Sequence, residues 1–385
     1  MCAFQCGYPP VDADATELPD MTPETIALGR LLAGDPDWAQ GGSWTSAALV
    51  EAADEHGIAA LVWQVLAASP GALADVGERL APWVRAAATR DLFIQRDMQM
   101  VLDALSAHGV RTLVMKGSAL AYTVYEEPWL RPRTDTDLLI DRADLDAAAR
   151  ALSACGYTRS DALSTGMLVS HQVAFERLDA HDVHHVVDLH WKIVNPQMLA
   201  DVLTFDELWH DRRGAPALGP TAAVPSPAAS VVINNIHRFA HHQGHDRLIW
   251  LVDQRTLTDR FTGDDWQALV QLASRARVAG LCLDGLRQTR DRLAAVVPSE
   301  VEQALAAAAP SEPSRVYLEK TIHKRDVLVN DLAALGWKAR LRLLQEHAFP
   351  SPAFIRHRYG ESNRWPLPAL YLHRLVSGAI RWVRP

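Results

Sequence analysis

Across roughly the first hundred residues, apolar positions recur at three- and four-residue spacing, which predicts amphipathic helices. "SWTSAALVEAADEHGIAALVWQVLAA" (43–68) has a Ser/Thr start and a glycine break, and "LADVGERLAPWVRAAATRDLFIQRDMQMVLDALSAHG" (73–109) reads as a long helix ending at Gly109. Pro82 is expected to kink or divide that helix. The period then changes. "VRTLVMK" (110–116) is a short apolar run fit for a buried strand, and Gly117-Ser118 and a helix-like "ALAYTVYEE" (119–127) follow it. "TDTDLLI" (134–140) reads as a strand and "RADLDAAARALSACG" (142–156) as a helix. "HQVAFERL" (171–178) and "HHVVDLHWKIV" (184–194) read as two strands, which "DAHDV" can join as a hairpin.

This order predicts an α+β fold, with a small mixed-sheet core flanked by N- and C-terminal helical regions. The expected divisions are a helical region at 1–108, the core at 109–212, a Pro-, Gly- and Ala-rich linker at 213–230 and a helical domain at 231–385. Within the last, helices are expected at 228–242, 246–259, 264–276, 278–293, 299–309 and 313–335.

Composition narrows the class. Hydrophobic residues make up 49% and charged residues 22%, ordinary for a soluble globular chain and unlike a disordered one. No apolar run approaches the roughly 20 residues a membrane span requires, and the first residues lack a secretory pattern, so a cytoplasmic location is expected. The four cysteines form no disulfide framework. Cys155 and Cys282 fall in apolar patterns as core thiols, and Cys2 and Cys6 are close enough to share a metal, although no second ligand pair follows them. The net charge of -8 conceals an asymmetry: residues 1–100 hold 14 acidic and 5 basic residues, residues 321–385 hold 4 and 11. Either the two ends face each other or solvent, or the basic end faces a phosphate-bearing substrate.

The chemistry concentrates at "LRPRTDTDLLIDRADL" (130–145). Asp135 and Asp137 are two apart in a strand, so their carboxylates share a face, and they repel unless a cation lies between them. If strands 134–140 and 184–193 are neighbours, Asp188 supplies a third carboxylate, with His190 on the same face. Three carboxylates call for divalent metal. Mg²⁺ takes oxygen ligands and keeps waters for a phosphate to replace, and two such ions about 3.5–4 Å apart clamp in-line phosphoryl transfer. Gly117-Ser118, at the end of one strand and the start of a helix, can offer backbone amides, the helix dipole and a hydroxyl to a phosphate.

"LVMKGSALAYTVYEEPWLRPRTDTDLLI", "HQVAFERL" and "VVDLHW" together resemble the nucleotidyltransferases of the DNA polymerase β superfamily, and more closely a poorly characterised bacterial branch of it. The resemblance spans about residues 110–195 and continues more weakly through "IHRFAHHQGHDRLIWLVDQRTL". It implies a polymerase β-like core, an NTP co-substrate and a Mg²⁺-dependent transfer of NMP to a hydroxyl or phosphate acceptor, with release of pyrophosphate. Position by position it implies that Gly117 and Ser118 hold phosphate, that Asp135 and Asp137 bind metal, and that Asp188 is the third carboxylate, catalytic or metal-binding. The 16 residues between Ser118 and Asp135 exceed the superfamily's commonest spacer, and Thr136 replaces a more frequent apolar residue, pointing to the opposite face.

Other residues keep two readings. Arg131 pairs with a carboxylate or reaches the triphosphate, Lys116 snorkels or contacts phosphate, and Arg247 is a candidate triphosphate contact from a second domain. His190 and His171 orient neighbours or act as bases. His237, His241, His242 and His245 line the site or the surface, because no Cys or carboxylate completes a zinc set around them. The expected acceptor is a small molecule. The alternatives are a toxin-type transferase that modifies tRNA or protein, and a catalytically silent nucleotide-binding protein.

Overall fold

A computed structural model describes residues 22–40, 42, 44–68, 73–160, 166–242, 247–319, 324–359 and 365–383. Cys2, Cys6 and His245 lie outside the described residues. The described residues begin with α1 (Pro23–Ala33), α2 (Ser46–Glu55), α3 (Ala59–Ala68) and α4 (Ala74–Ala107). Thr22 and Thr45 cap α1 and α2 by accepting from Thr25 N and Ala48 N. Pro82 does not divide α4, which runs unbroken through it. Pro82 lies on an exposed face beside an equally exposed Glu78, so water can reach the carbonyl that proline leaves without a donor.

The core follows as β1 (Thr112–Val114), α5 (Lys116–Ala121), β2 (Thr136–Ile140), α6 (Leu145–Ala154), β3 (Thr158–Ser160), β4 (Gln172–Leu178) and β5 (His184–His190). The strands form one mixed sheet in the order β1-β2-β5-β4-β3. β2 and β5 are parallel, and the β4–β5 hairpin expected across 179–183 is present. The helix expected through 119–127 stops at Ala121, and Tyr125 beyond it donates to Asp253 at 2.7 Å.

Strand alternation sorts the sheet's two faces. Leu138 and Ile140 pack with Met98, Val101 and Leu102 of α4 and with Ala148 and Leu152 of α6. Leu139 faces the other way, into a cluster with Val232, Ile233 and Ile236. Those residues belong to α9 (Pro227–His242), reached through α7 (Gln197–Ala200), α8 (Phe205–His210), β6 (Arg213–Gly214) and β7 (Ala223–Val224). The stretch read as a linker thus contains a two-stranded ribbon, and Ala215, Leu218 and Val224 from it are buried in the α4 side of the core.

The remaining helices are α10 (Leu248–Thr258), α11 (Gly263–Arg275), α12 (Ala279–Leu293), α13 (Ser299–Ala308), α14 (Lys324–Ala334), α15 (Trp337–Ala348), α16 (Pro352–Tyr359) and α17 (Leu367–Val383). The single helix expected at 313–335 is a 3₁₀ segment at Pro313–Leu318 followed by α14. Ser314 is anchored to the Arg277 carbonyl at 2.6 Å and Tyr317 is buried, which fixes that segment away from a continuous helical path. Leu248, Ile249 and Leu251 of α10 pack among Leu28, Leu49 and Val62, so one apolar cluster joins the N-terminal helices to α10. Among the described residues, no helix is long and apolar enough to cross a membrane.

Candidate active site

The sheet face turned toward α9 carries the chemistry. On the parallel ladder Asp137 is paired with Asp188, and Leu139 with His190. Period-two alternation therefore places Asp135 and Asp137 of one strand beside Asp188 and His190 of the next. One ligand atom from each of Asp137, Asp188 and His190 falls within 4.8 Å of the other two. Thr136 is directed to the opposite face, where it lines a small space with Leu138, Val187 and Met98 of α4.

Hydrogen bonds hold Asp137, Asp188 and His190. Asp137 Oδ1 accepts from Lys116 Nζ at 2.7 Å and from His190 Nε2–H at 2.8 Å. Asp188 Oδ2 accepts from Gln172 Nε2 at 2.8 Å, and Gln172 sits on β4 directly across from His190. Burial alone would raise the Asp137 carboxyl, but the Lys116 charge and the His190 hydrogen bond overcome it and hold the group well below the ordinary carboxylate range. Asp188 has no such cation bonded to it. Burial, then the charges of Asp137 and Asp135, push it up to about 7. Asp135 is raised by burial and by Asp137. The imidazole of His190 is held neutral by burial and by Lys116.

The phosphate turn expected at Gly117-Ser118 adjoins this cluster and is stitched to β2. Met115 N donates to the Asp137 carbonyl at 2.9 Å, and the Ser118 hydroxyl donates to the Asp135 carbonyl at 3.2 Å. α5 has only six residues, so its dipole is slight, and the positive charge at the turn comes from Lys116 instead. Lys116 has a left-handed backbone, φ 52°, uncommon for a residue with a side chain. A β-carbon on Gly117 would lie 3.0 Å from the Arg131 guanidinium, so glycine is needed for that close approach.

The two arginines of "RPR" are anchors for the loop that delivers the aspartates. Arg131 is buried and its Nε donates to both oxygens of Asp253 on α10, at 2.8 and 3.0 Å. Its Nη1 donates to the Pro132 carbonyl at 2.7 Å. Arg133 reaches the other way, to Asp91 on α4 at 2.5 Å and to the Tyr122 hydroxyl. Arg247 stands at the start of α10, where its Nε donates to the Glu55 carbonyl at 2.7 Å, roughly 9 Å of helix rise from Asp253. His171 Nδ1 bonds the Val194 carbonyl at 3.1 Å, and its Nε2 lies 3.2 Å from Gln197 Nε2, so its contacts run to the α7 side of the sheet.

The histidines of α9 complete the surroundings. The rings of His237 and His241 lie 4.9 Å apart, and His242 packs on Trp250 at 4.2 Å. His237 Nδ1 is buried and has no hydrogen-bond partner among the described residues. Burial and then the Lys116 charge lower His237, and Asp137 acts on it in the opposite sense. α9 therefore presents a neutral imidazole toward the same charges the sheet presents. These three rings do not form a metal-binding group among the described residues.

Sequence reasoning gave His190 only an orienting or basic role, although the i, i+2 rule had placed it on the face of Asp188. It missed Asp253, Asp91 and Gln172, the partners that hold Arg131, Arg133 and Asp188. Only the fold could bring those together, because they lie 122, 42 and 16 residues from the groups they bind.

No curated protein matches the chain. The profile of one protein family does, over residues 44–294, which takes in α2 to α12 and the whole sheet with its carboxylate cluster. The site's geometry and this match agree, and the chain belongs to the family described as uncharacterised nucleotidyltransferases.

Proposed function

We propose that the protein transfers NMP from an NTP to a hydroxyl or phosphate acceptor, with Mg²⁺ as the working ion. The observation that carries this reading is the convergence of Asp137, Asp188 and His190 within 4.8 Å, beside Asp135, in a member of a nucleotidyltransferase family. Carboxylate oxygens suit Mg²⁺, and the one imidazole is tolerated by Mn²⁺ as well, so the donor set fits a divalent ion. Asp135 and Asp137 are the proposed ligands of an ion that arrives with the triphosphate and Asp188 of a second ion beside the acceptor, and bound metal would neutralise charge on the triphosphate and align attack.

The chain's own groups divide the remaining work. The Lys116–Ser118 turn holds the phosphates through its backbone and the Lys116 ammonium. Arg131 supports the turn from beneath Gly117 with a charge that Asp253 keeps in place. Asp188 accepts the acceptor's proton while the acceptor oxygen bonds to the α-phosphorus and the bond to the β-phosphate oxygen breaks. Arg247 is not part of this proposal, since its guanidinium holds the α2–α3 junction. A small molecule is the proposed acceptor, within a cytoplasmic setting.

The test offers the protein each α-labelled NTP with Mg²⁺, alone and then with cell extract. Label appearing on a small molecule is the expected result. Label on RNA or on a protein would replace the acceptor class, and transfer from the γ position only would replace the reaction.

A further inference from the structure

Lys116 is the one ammonium bonded within the carboxylate cluster among the described residues. Its Nζ lies 2.7 Å from Asp137 Oδ1, with the two side chains 16% and 10% exposed, so this ion pair is largely shielded from water. Asp135 and Asp188 act on the same ammonium. The lysine is held there by its backbone: it occupies φ 52° in a turn fixed at one side by Met115 N on the Asp137 carbonyl and at the other by Ser118 on the Asp135 carbonyl. A flexible four-carbon stem then rises from a rigid, uncommon backbone position to the oxygen that a metal would use.

Resting on the nucleotidyltransferase reading above, we infer that Lys116 is a resident counter-ion for the carboxylates, which competes with bare metal for Asp137 and releases it when metal and triphosphate arrive together. A single positive charge leaves three carboxylates only partly neutralised, so the arrangement is suited to exchange. A divalent ion approaching Asp137 and Asp188 by itself meets the ammonium at close range and is repelled. A triphosphate changes the balance, because its oxygens offer the ammonium an alternative partner beside the same turn. His190 Nε2–H stays on Asp137 Oδ1 and keeps the carboxylate oriented during the exchange. Metal and nucleotide thus strengthen each other's binding, and by linkage the effect is equal in both directions. Free divalent ions are correspondingly disfavoured at the empty turn.

The experiment uses the full chain as wild type, Lys116→Met and Lys116→Gly. The glycine variant suits φ 52° and guards against misfolding of the methionine variant. Mn²⁺ is titrated while free Mn²⁺ is followed by electron paramagnetic resonance, first alone and then with α,β-methylene analogues of ATP and GTP. Thermal melting is followed in chelator and in Mn²⁺. Both variants are expected to bind Mn²⁺ alone about tenfold or more tightly than wild type, as removal of a nearby like charge requires. They should also lose most of the enhancement that nucleotide gives the wild type, and melt lower in chelator with recovery on Mn²⁺. A lysine that only stabilises the fold would lower melting without raising Mn²⁺ affinity. If the variants bind Mn²⁺ alone no better than wild type while wild type binds Mn²⁺ with nucleotide, the counter-ion role is overturned and the nucleotidyltransferase reading stands. If no form binds Mn²⁺ even with either analogue, both fall.

Discussion

Asp188 and Asp137 face each other across two strands, yet their chemistry differs because their partners differ. Asp137 has an ammonium and an imidazole N–H, whereas Asp188 has the neutral amide of Gln172. Asp188→Asn is expected to bind Mg·NTP within about threefold of wild type while transfer falls by about 10² to 10⁴-fold, the range usual for losing a positioned base. Calorimetric NTP titration beside transfer from α-labelled NTP separates the two; transfer at the wild-type rate would make Asp188 structural. The same residue predicts a pH dependence. Its carboxyl titrates near 3.8 when unperturbed and near 7 in the metal-free fold, so the folded protein binds the extra proton. The stability this contributes is full below the unfolded value and is lost as pH rises through the folded one. Buried histidines such as His56, lowered to about 4, act in the opposite sense, so the informative quantity is the difference between proteins. In chelator, the melting temperature of Asp188→Asn relative to wild type should rise from pH 5 and level off above about pH 7, and saturating Mg²⁺ should remove most of that trend. A flat difference would mean that Asp188 ionises freely in the fold.

At the level of elements, the loop before β2 is a bridge. Arg131 ties it to α10 and Arg133 ties it to α4, so the strand carrying Asp135 and Asp137 is positioned from both helical regions. The Arg131–Asp253 pair is buried, and breaking such a pair from either side costs about 3–5 kcal/mol, because the partner's charge is left uncompensated. Arg131→Ala and Asp253→Ala should each lose stability of that order in urea denaturation, and the double variant should lose far less than the sum. An arginine kept chiefly for phosphate would show little loss in the single variant. Gly117 adds a second coupling. Gly117→Ala presses a methyl group onto a guanidinium that Asp253 holds still, with an expected cost of about 1–3 kcal/mol. In an Arg131→Ala background that cost should largely vanish, and persistence would place the obstruction elsewhere.

Across the whole molecule, the C-terminal helices dock on the core through two acidic residues. Glu346 Oε2 on α15 accepts from Leu168 N at 2.7 Å and Val169 N at 3.1 Å, and Asp331 on α14 accepts from Gln197 N at 2.6 Å. Hydrogen bonds to a charged group are worth about 1.5–3 kcal/mol each. Glu346→Ala should therefore speed amide exchange at 166–170 and proteolysis within α14–α17, and leave Mg·NTP affinity at the β2–β5 face unchanged. Loss of nucleotide affinity in that variant would tie the C-terminal helices to the site itself.

What the sequence determined was local and periodic. The change from helical to alternating spacing at residue 110 marked the sheet, and the i, i+2 rule put Asp135 with Asp137 and Asp188 with His190 before any strand pairing was known. Motif order also indicated the nucleotidyltransferase family, because the turn, the D-T-D pair and the D-L-H strand are contiguous stretches whose spacing survives in one dimension. Where local signals competed with long-range contacts, they failed. Pro82 did not break α4, because exposure let water satisfy the orphaned carbonyl, and 119–127 did not continue as a helix, because Tyr125 is bonded to a side chain 128 residues later. The stretch at 213–230 looked like a linker by composition, yet contact with α4 buried part of it. Only the tertiary structure decided which cation sits on Asp137, which acid restrains each arginine of "RPR" and which histidines of α9 face the site. Ion pairs and pKa shifts depend on distance and burial, and both are set by how strands and helices from distant parts of the chain are brought together.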